Sequence, residues 1–244
     1  MLLKTFLHTH PEVWDHVFRL DMRRARFIGR LLKPVGPRVL DVGCATGDLC
    51  GYLSTQGFQC TGVDLTPAFI KAAQRKFPEV AFQVGDMRKL AFRASFHALT
   101  CIGTTFLYNV RNEDLLATLD SFRRALRPGG LLFIDVLNAV AFIRARPFRE
   151  TTGHPFQLGG VQATATIEHT VLEEAQCFTE QVTWELEGRP PRKDSRSTFR
   201  MLFPQEARHF LEGAGFRDVR ILGDFRQGAT RLNGPRMLLL AQKA

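Results

Sequence analysis

Between Pro11 and Leu32 apolar residues recur at helical spacing, through Val13, Trp14, Val17, Phe18, Phe27, Ile28, Leu31 and Leu32, and Pro11 suits a first turn. One amphipathic leading helix is predicted. After the breaker KPVGP the pattern changes to short apolar runs separated by helical ones: strand RVLDV, a helix over 48–56, strand QCTGVD, a helix over 67–77, then strands VAFQVGD and FHALTCIG. Asn112, followed by Glu113 and Asp114, opens a further helix that buries Leu115, Leu116, Leu119, Phe122 and Leu126. It ends in Arg123, Arg124 and Arg127, stops at Pro128-Gly129-Gly130, and is followed by strand LLFIDVL. Strands that are apolar on both faces and alternate with helices make a parallel sheet covered on both sides.

From Val161 to Val171 the period becomes two, and FTEQVTWEL and STFRMLF repeat it around the turns LEEA and GRPPRKD. This predicts a three-stranded antiparallel meander with one apolar face. A helix over 204–214, closed by Gly215, and the strands FRDVRILGDF and PRMLLLAQKA return the chain to the main sheet. The meander is then an insertion, and its apolar face must cover either the functional edge of the sheet or a partner subunit, which would make a homodimer.

Composition narrows the class. The chain has 244 residues, 45% of them hydrophobic, enough for the core of one large domain. The opening MLLKTFLHTH is broken by Lys4, and no apolar run approaches the roughly 18 residues of a membrane span, so a cytoplasmic protein with no membrane partner is expected. The five cysteines form no CxxC pair and the seven histidines no HExxH motif, so neither a disulfide framework nor a metal site is expected. A net charge of +9 helps a chain find a polyanion, but the basic residues are spread over helix faces and helix ends. A solvated basic surface is the favoured reading, with nucleic acid as the alternative partner.

The stretch DVGCATGD, residues 41–48, puts acids and glycines directly after an apolar strand. In an open parallel sheet ligands bind beyond the carboxyl ends of the strands, and Gly43 and Gly47 suit the first turn there. A Walker phosphate loop is excluded because no Lys-Ser or Lys-Thr follows Gly47. A dinucleotide fingerprint is excluded because the glycines have GxxxG spacing and Asp41 would repel a pyrophosphate. A carboxylate in that position favours a cation.

VLDVGCATGDLC resembles the glycine-rich motif of class I S-adenosylmethionine-dependent methyltransferases, whose donor carries an ammonium and a sulfonium. The resemblance continues through GVDLT, VGDM, CIGTTF and LRPGGLL, covering residues 35–138 and, less closely, 204–243. It implies an α/β fold with a doubly wound, seven-stranded, mostly parallel Rossmann-like sheet and an inserted antiparallel meander. The parts would be a helical lid (1–34), a cofactor-binding core (35–140), the insertion (141–203) and a last helix with two strands (204–244). It implies S-adenosylmethionine as cofactor, S-adenosylhomocysteine as product and no metal. Asp41, Gly43, Cys44, Ala45 and Gly47 would form the first turn, Asp64 with Leu65 would receive the ribose, Asp86 and Met87 the adenine, and Cys101, Ile102 and Gly103 would close the site from the fourth strand. Ala45 stands where the family often has glycine, which tightens the turn.

Methyl transfer is an in-line displacement, so holding the acceptor is most of the work. An amine need only arrive neutral, whereas a hydroxyl calls for a base such as histidine. His154 in the loop RETTGHPFQ, His169 on the apolar face of the meander and Tyr108 after the fourth strand are the candidates. Each also has a plain structural reading, as an exposed loop residue, a satisfied buried histidine and a pocket wall. Trp14, Phe18 and Asn138 are expected at the acceptor rim or in the lid, or as core packing. The expected activity is transfer to N or O of a small molecule. The alternatives are an RNA or protein methyltransferase using the basic surface, although neither an Asn/Asp-Pro-Pro-aromatic motif nor Pro-Cys is present, and a cofactor-binding regulator without catalysis.

Overall fold

The computed structural model describes residues 5–145, 161–225 and 228–244, with 149–151 and 156–158 as strand backbone. The leading segment is three helices where one was expected: α1 (Phe6–Thr9), α2 (Pro11–Val17) and α3 (Met22–Leu32). Asp21 is the reason. Its backbone is extended and its carboxylate accepts the Arg23 N–H at 2.8 Å, which starts a new helix. The two halves also bury their apolar residues in different places. Phe6 and Val13 cluster with Ala165, Val182 and Trp184, whereas Ala25, Ile28 and Leu32 pack on the main sheet.

The alternation that follows is β1 (Arg38–Val42), α4 (Asp48–Thr55), β2 (Gln59–Asp64), α5 (Pro67–Lys76), β3 (Ala81–Val84), β4 (Phe96–Cys101), α6 (Asn112–Ala125) and β5 (Leu126–Leu137). Helix α6 ends before the Pro-Gly-Gly expected to stop it. Leu126 is already extended and pairs with Phe96, so residues 128–130 lie inside β5. After α7 (Ala139–Arg144) come β6 (Arg149–Thr151), β7 (Phe156–Leu158), β8 (Val161–Leu172), β9 (Cys177–Leu186), β10 (Arg192–Lys193) and β11 (Ser197–Arg200). The chain closes with α8 (Pro204–Gly213), β12 (Phe216–Gly223) and β13 (Arg236–Lys243).

Seven strands form one sheet in the order β12-β13-β5-β4-β1-β2-β3, parallel except for β13, which runs against both neighbours. The chain steps outward from β1 to β3 and returns to β4 on the other side of β1. Their carboxyl ends therefore flank the crevice where the order reverses. Alternate strand residues feed two cores: Leu40, Leu99 and Ile134 face α6 and α8, while Val39, Ala98 and Phe133 face α3 and α4. The fold class is the one expected from the sequence. Among the described residues no helix is long and apolar enough to cross a membrane.

The second sheet is antiparallel and has six strands rather than three: β10-β9-β8-β6, with β11 also on β9 and β7 also on β8. The extra strands are two or three residues long, too short to show an alternation. On one face of this sheet Ala165 lies opposite Trp184, Ile167 opposite Val182, His169 opposite Glu180 and Val171 opposite Phe178. Phe6 and Val13 cover the Trp184 end, while Phe142 of α7 packs on Phe178 at 4.5 Å between ring centroids. Both ends of the apolar face are thus covered by the same chain, with a polar pair between them.

Candidate active site

The first turn shows why its glycines are needed. Gly43 and Gly47 have φ of +74° and +86°, and a Cβ on either would come within 2.4 Å of Thr105 or 2.6 Å of Phe82. Ala45 also adopts a positive φ, 47°, so its methyl group is accommodated in the left-handed region. The Gly43 and Cys44 N–H groups donate to the Val63 carbonyl at 2.7 and 3.1 Å. Asp64 completes the lacing: one oxygen accepts the Ala45 N–H at 3.0 Å and the other the Thr66 N–H at 2.8 Å. Burial raises the pKa of its carboxyl, and these donors oppose the shift.

Asp41 does not reach the surface where a cation was expected to meet it. It is 1% exposed, accepts the Thr100 hydroxyl at 2.7 Å and faces the Cys50 thiol at 3.8 Å. It therefore ties β1 to β4 beneath the turn, and burial raises its pKa to about 6. Asp86 is clamped by the Arg88 guanidinium, with contacts of 2.8 to 3.2 Å, and those hydrogen bonds hold its carboxyl below the usual range. Arg88 also reaches Asp114 at 3.0 Å. Leu65 and Val84, at the ends of β2 and β3, are large apolar residues 40% and 51% exposed. Met87 is partly buried, and its sulfur accepts from the Asn109 amide at 3.7 Å.

At the end of β4, Cys101 is buried and Ile102 partly so. The Gly103 N–H donates to Asp135 at 3.3 Å. Asp135, completely buried on β5, also holds Arg24 of α3 at 3.1 Å and Arg236 of β13 at 2.7 Å. Arg236 donates on to the Thr104 hydroxyl at 3.2 Å. Two buried donors remain without a partner among the described residues, Arg24 Nε and Arg236 Nη2, and both arginines line a cavity of about 430 Å³ with Asp21, Asp224 and Phe225. Sequence reading missed this cluster. Its signal was an aspartate inside the apolar run LLFIDVL.

The remaining candidates separate. Tyr108 packs on Phe199 at 4.6 Å with the rings tilted by 38°, and Phe199 stacks on Phe178 at 5.1 Å. Burial, then the charges of Glu180 and Asp64, push the Tyr108 hydroxyl well above its ordinary pKa, so it is a neutral wall. Tyr108 therefore stands in the fields of both the second strand end and the antiparallel sheet. His169 Nε2 lies 3.3 Å from Glu180 Oε2, with its ring edge-on to Phe142 and Phe178. Asn138 is 2% exposed and spends its amide on the Leu232 and Gly234 carbonyls, pinning the chain that leads into β13. His154 lies outside the described residues.

Helices α1 and α2 form a strap across the site. Trp14 packs on Phe69 of α5 at 4.9 Å and on Phe18 at 4.5 Å. Asp15 accepts the Thr46 hydroxyl of the first turn and pairs with Lys76 at 2.8 Å; Lys76 also holds Asp48 at 2.6 Å. At the other end the Phe6 N–H and the Trp184 indole N–H each donate at 2.8 Å to buried Asp194. Sequence reading had Trp14 and Phe18 but not Asp15, Thr46 or Asp194, whose roles depend on partners distant in the chain.

Comparison with known proteins bears on the family and the fold. Residues 39–130 match a family model described as a methyltransferase domain. The chain is 25% identical over 217 residues to a Bacillus subtilis protein named as methyltransferase YqeM, a match covering 86% of each. It is 36% identical to the ubiquinone biosynthesis O-methyltransferase of Xanthomonas axonopodis over 125 residues, which span about half of either chain, 49% and 51%. The solved sugar N-methyltransferase KedS8 from Streptoalloteichus superposes with a TM-score of 0.80 at 18% identity, covering 100% of this chain and 94% of that one.

Proposed function

For this chain, a class I S-adenosylmethionine-dependent methyltransferase, we propose a small-molecule acceptor methylated at nitrogen or oxygen between the main sheet edge and the antiparallel sheet. The carrying observation is the His169–Glu180 pair, the polar break in an otherwise apolar face whose two ends are closed by the chain itself. Tyr108, after β4, reaches that pair through the ring contacts Tyr108–Phe199, Phe199–Phe178 and Phe178–His169. The small-molecule reading is supported by the names of the sugar and ubiquinone methyltransferases above.

The residues suit the donor. Asp64 keeps lone pairs for ribose hydroxyls, Leu65 and Val84 offer apolar surface to adenine beside Asp86 and Met87, and the guanidinium groups of Arg24 and Arg236, which line the cavity next to Asp135, supply positive charge for the donor's carboxylate. Cys44, Ala45 and Gly47 carry the turn over which it would lie, and Ile102 and Gly103 bound it. The donor supplies an electrophilic methyl carbon with its leaving group attached, so this reaction calls for no metal. The protein's part is alignment, worth roughly 7 to 11 kcal/mol when the attacking atom is held about 3 to 3.5 Å away in line. With Nε2–H donating to Glu180, His169 Nδ1 is free to accept the acceptor's proton, and Glu180 stabilises the imidazolium that results. His154 is the second candidate for that role. Trp14, on Phe69, closes the strap over the bound pair, with Phe18 packed against it.

The test uses methyl-labelled S-adenosylmethionine with fractionated cell extract. Label should enter small metabolites with wild-type protein and markedly more slowly with Glu180→Gln, although both bind the donor. Label in RNA or protein, or full turnover by the variant, rejects the reading.

A further inference from the structure

The outer face of α3 carries Arg23, Arg26, Arg30 and Lys33, spaced three, four and three residues apart, and Arg19 precedes them in the linker. That spacing puts the four on one side of a helix about 16 Å long. All five are exposed, and none forms an ion pair with a described residue. The acids nearest in sequence do not neutralise them: Asp21 caps α3 through the Arg23 amide, Asp15 is held by Lys76, and Glu12 lies on α2. Two large apolar residues adjoin the stripe. Phe18 is 49% exposed and Met22 42%, and Met22 lies four residues before Arg26 on the same outer face.

We propose that this face docks the protein on a bilayer surface rich in anionic lipid. Charge complementarity supplies the attraction, because each cation near such a surface strengthens binding about fivefold. The apolar pair decides between polyanions. A bilayer interface takes up Phe18 and Met22 among its headgroups while the arginines snorkel to the phosphates, whereas a nucleic-acid backbone gains nothing from desolvating Met22. The opposite side of α3 is the buried side, with Ala25, Phe27, Ile28 and Leu32, so docking needs no unfolding.

Cosedimentation with phosphatidylcholine vesicles, with and without phosphatidylglycerol, tests the proposal on the whole chain. Wild type should bind the phosphatidylglycerol vesicles alone, and less as salt rises. Joint replacement Arg26→Gln, Arg30→Gln and Lys33→Gln should lower partitioning on the order of a hundredfold. Met22→Gln should lower it roughly fivefold. Unchanged melting and donor-binding heat in both variants show that the fold is intact. Equal binding to neutral vesicles, no binding to either, or full binding by the triple variant overturns the proposal. So does poly(U) RNA that displaces the vesicles with an affinity indifferent to Met22→Gln, which assigns the stripe to nucleic acid instead.

Discussion

The two sides of the site are built by different means. On the donor side the main sheet fixes geometry through backbone: positive-φ glycines without room for a Cβ, N–H groups of the first turn on Val63 and Asp64, and a carboxylate sealed under the turn. On the proposed acceptor side the antiparallel sheet offers side chains, an aromatic run and one polar pair, on strands whose register alone decides what meets. Backbone-built sites hold one ligand shape, whereas a face of side chains can be rewritten without disturbing the sheet that carries it. On the proposed reading, the donor is set by the fold and the acceptor by a few positions on β8, β9 and β11.

The contrast can be broken at four places, in falling order of effect. Asp64→Ala removes the acceptor of two backbone donors together with the proposed ribose contact. At about 1.5 to 3 kcal/mol for each bond to a charged group, donor affinity by calorimetry should fall on the order of a thousandfold. An affinity within tenfold of wild type would show that the lacing does not shape the site.

Asp41→Asn should act on stability instead. A carboxyl raised from 3.8 to about 6 stabilises the folded state while protonated, below about pH 4, and this contribution is lost as pH rises through 6. At about 1.4 kcal/mol per pKa unit this is about 3 kcal/mol. Melting curves should show wild type losing more stability between pH 4 and 7 than the asparagine variant, which keeps only the contribution of Asp64. Parallel profiles would mean that Asp41 stays charged throughout.

On the acceptor side, His169→Gln should lower kcat about a hundredfold with donor affinity unchanged, the loss expected for one proton acceptor. An unchanged kcat would return the role to His154 or to unaided positioning. The smallest effect belongs to the strap. Asp15→Asn leaves Lys76 with Asp48 and should cost less than about 1 kcal/mol, because the pair is partly exposed.

Much of the donor side was legible because it is local. A strand, a turn and an acid follow one another in sequence, so β1 to β5 and the three strand-end aspartates stand out without knowledge of tertiary contacts. What Asp41 does was not legible, because its partner Thr100 lies 59 residues away. The acceptor side depends almost wholly on such pairings. His169 was visible as a polar residue on an apolar face, but Glu180 gains its meaning only from the β8–β9 register. The leading segment misled because one helical period runs through two helices that serve different cores, with Asp21 between them.

The strap has a kinetic consequence. Asp15, near its C-terminal end, holds Thr46 of the first turn, and Phe6 at its start holds Asp194 on the side of the antiparallel sheet. The twelve residues from Phe6 to Val17 thus touch both chambers, and lifting them for one passenger unlatches the other. Entry and exit should therefore follow a fixed sequence, methyl donor first on and spent donor last off, visible as competitive inhibition by the demethylated product against the donor alone.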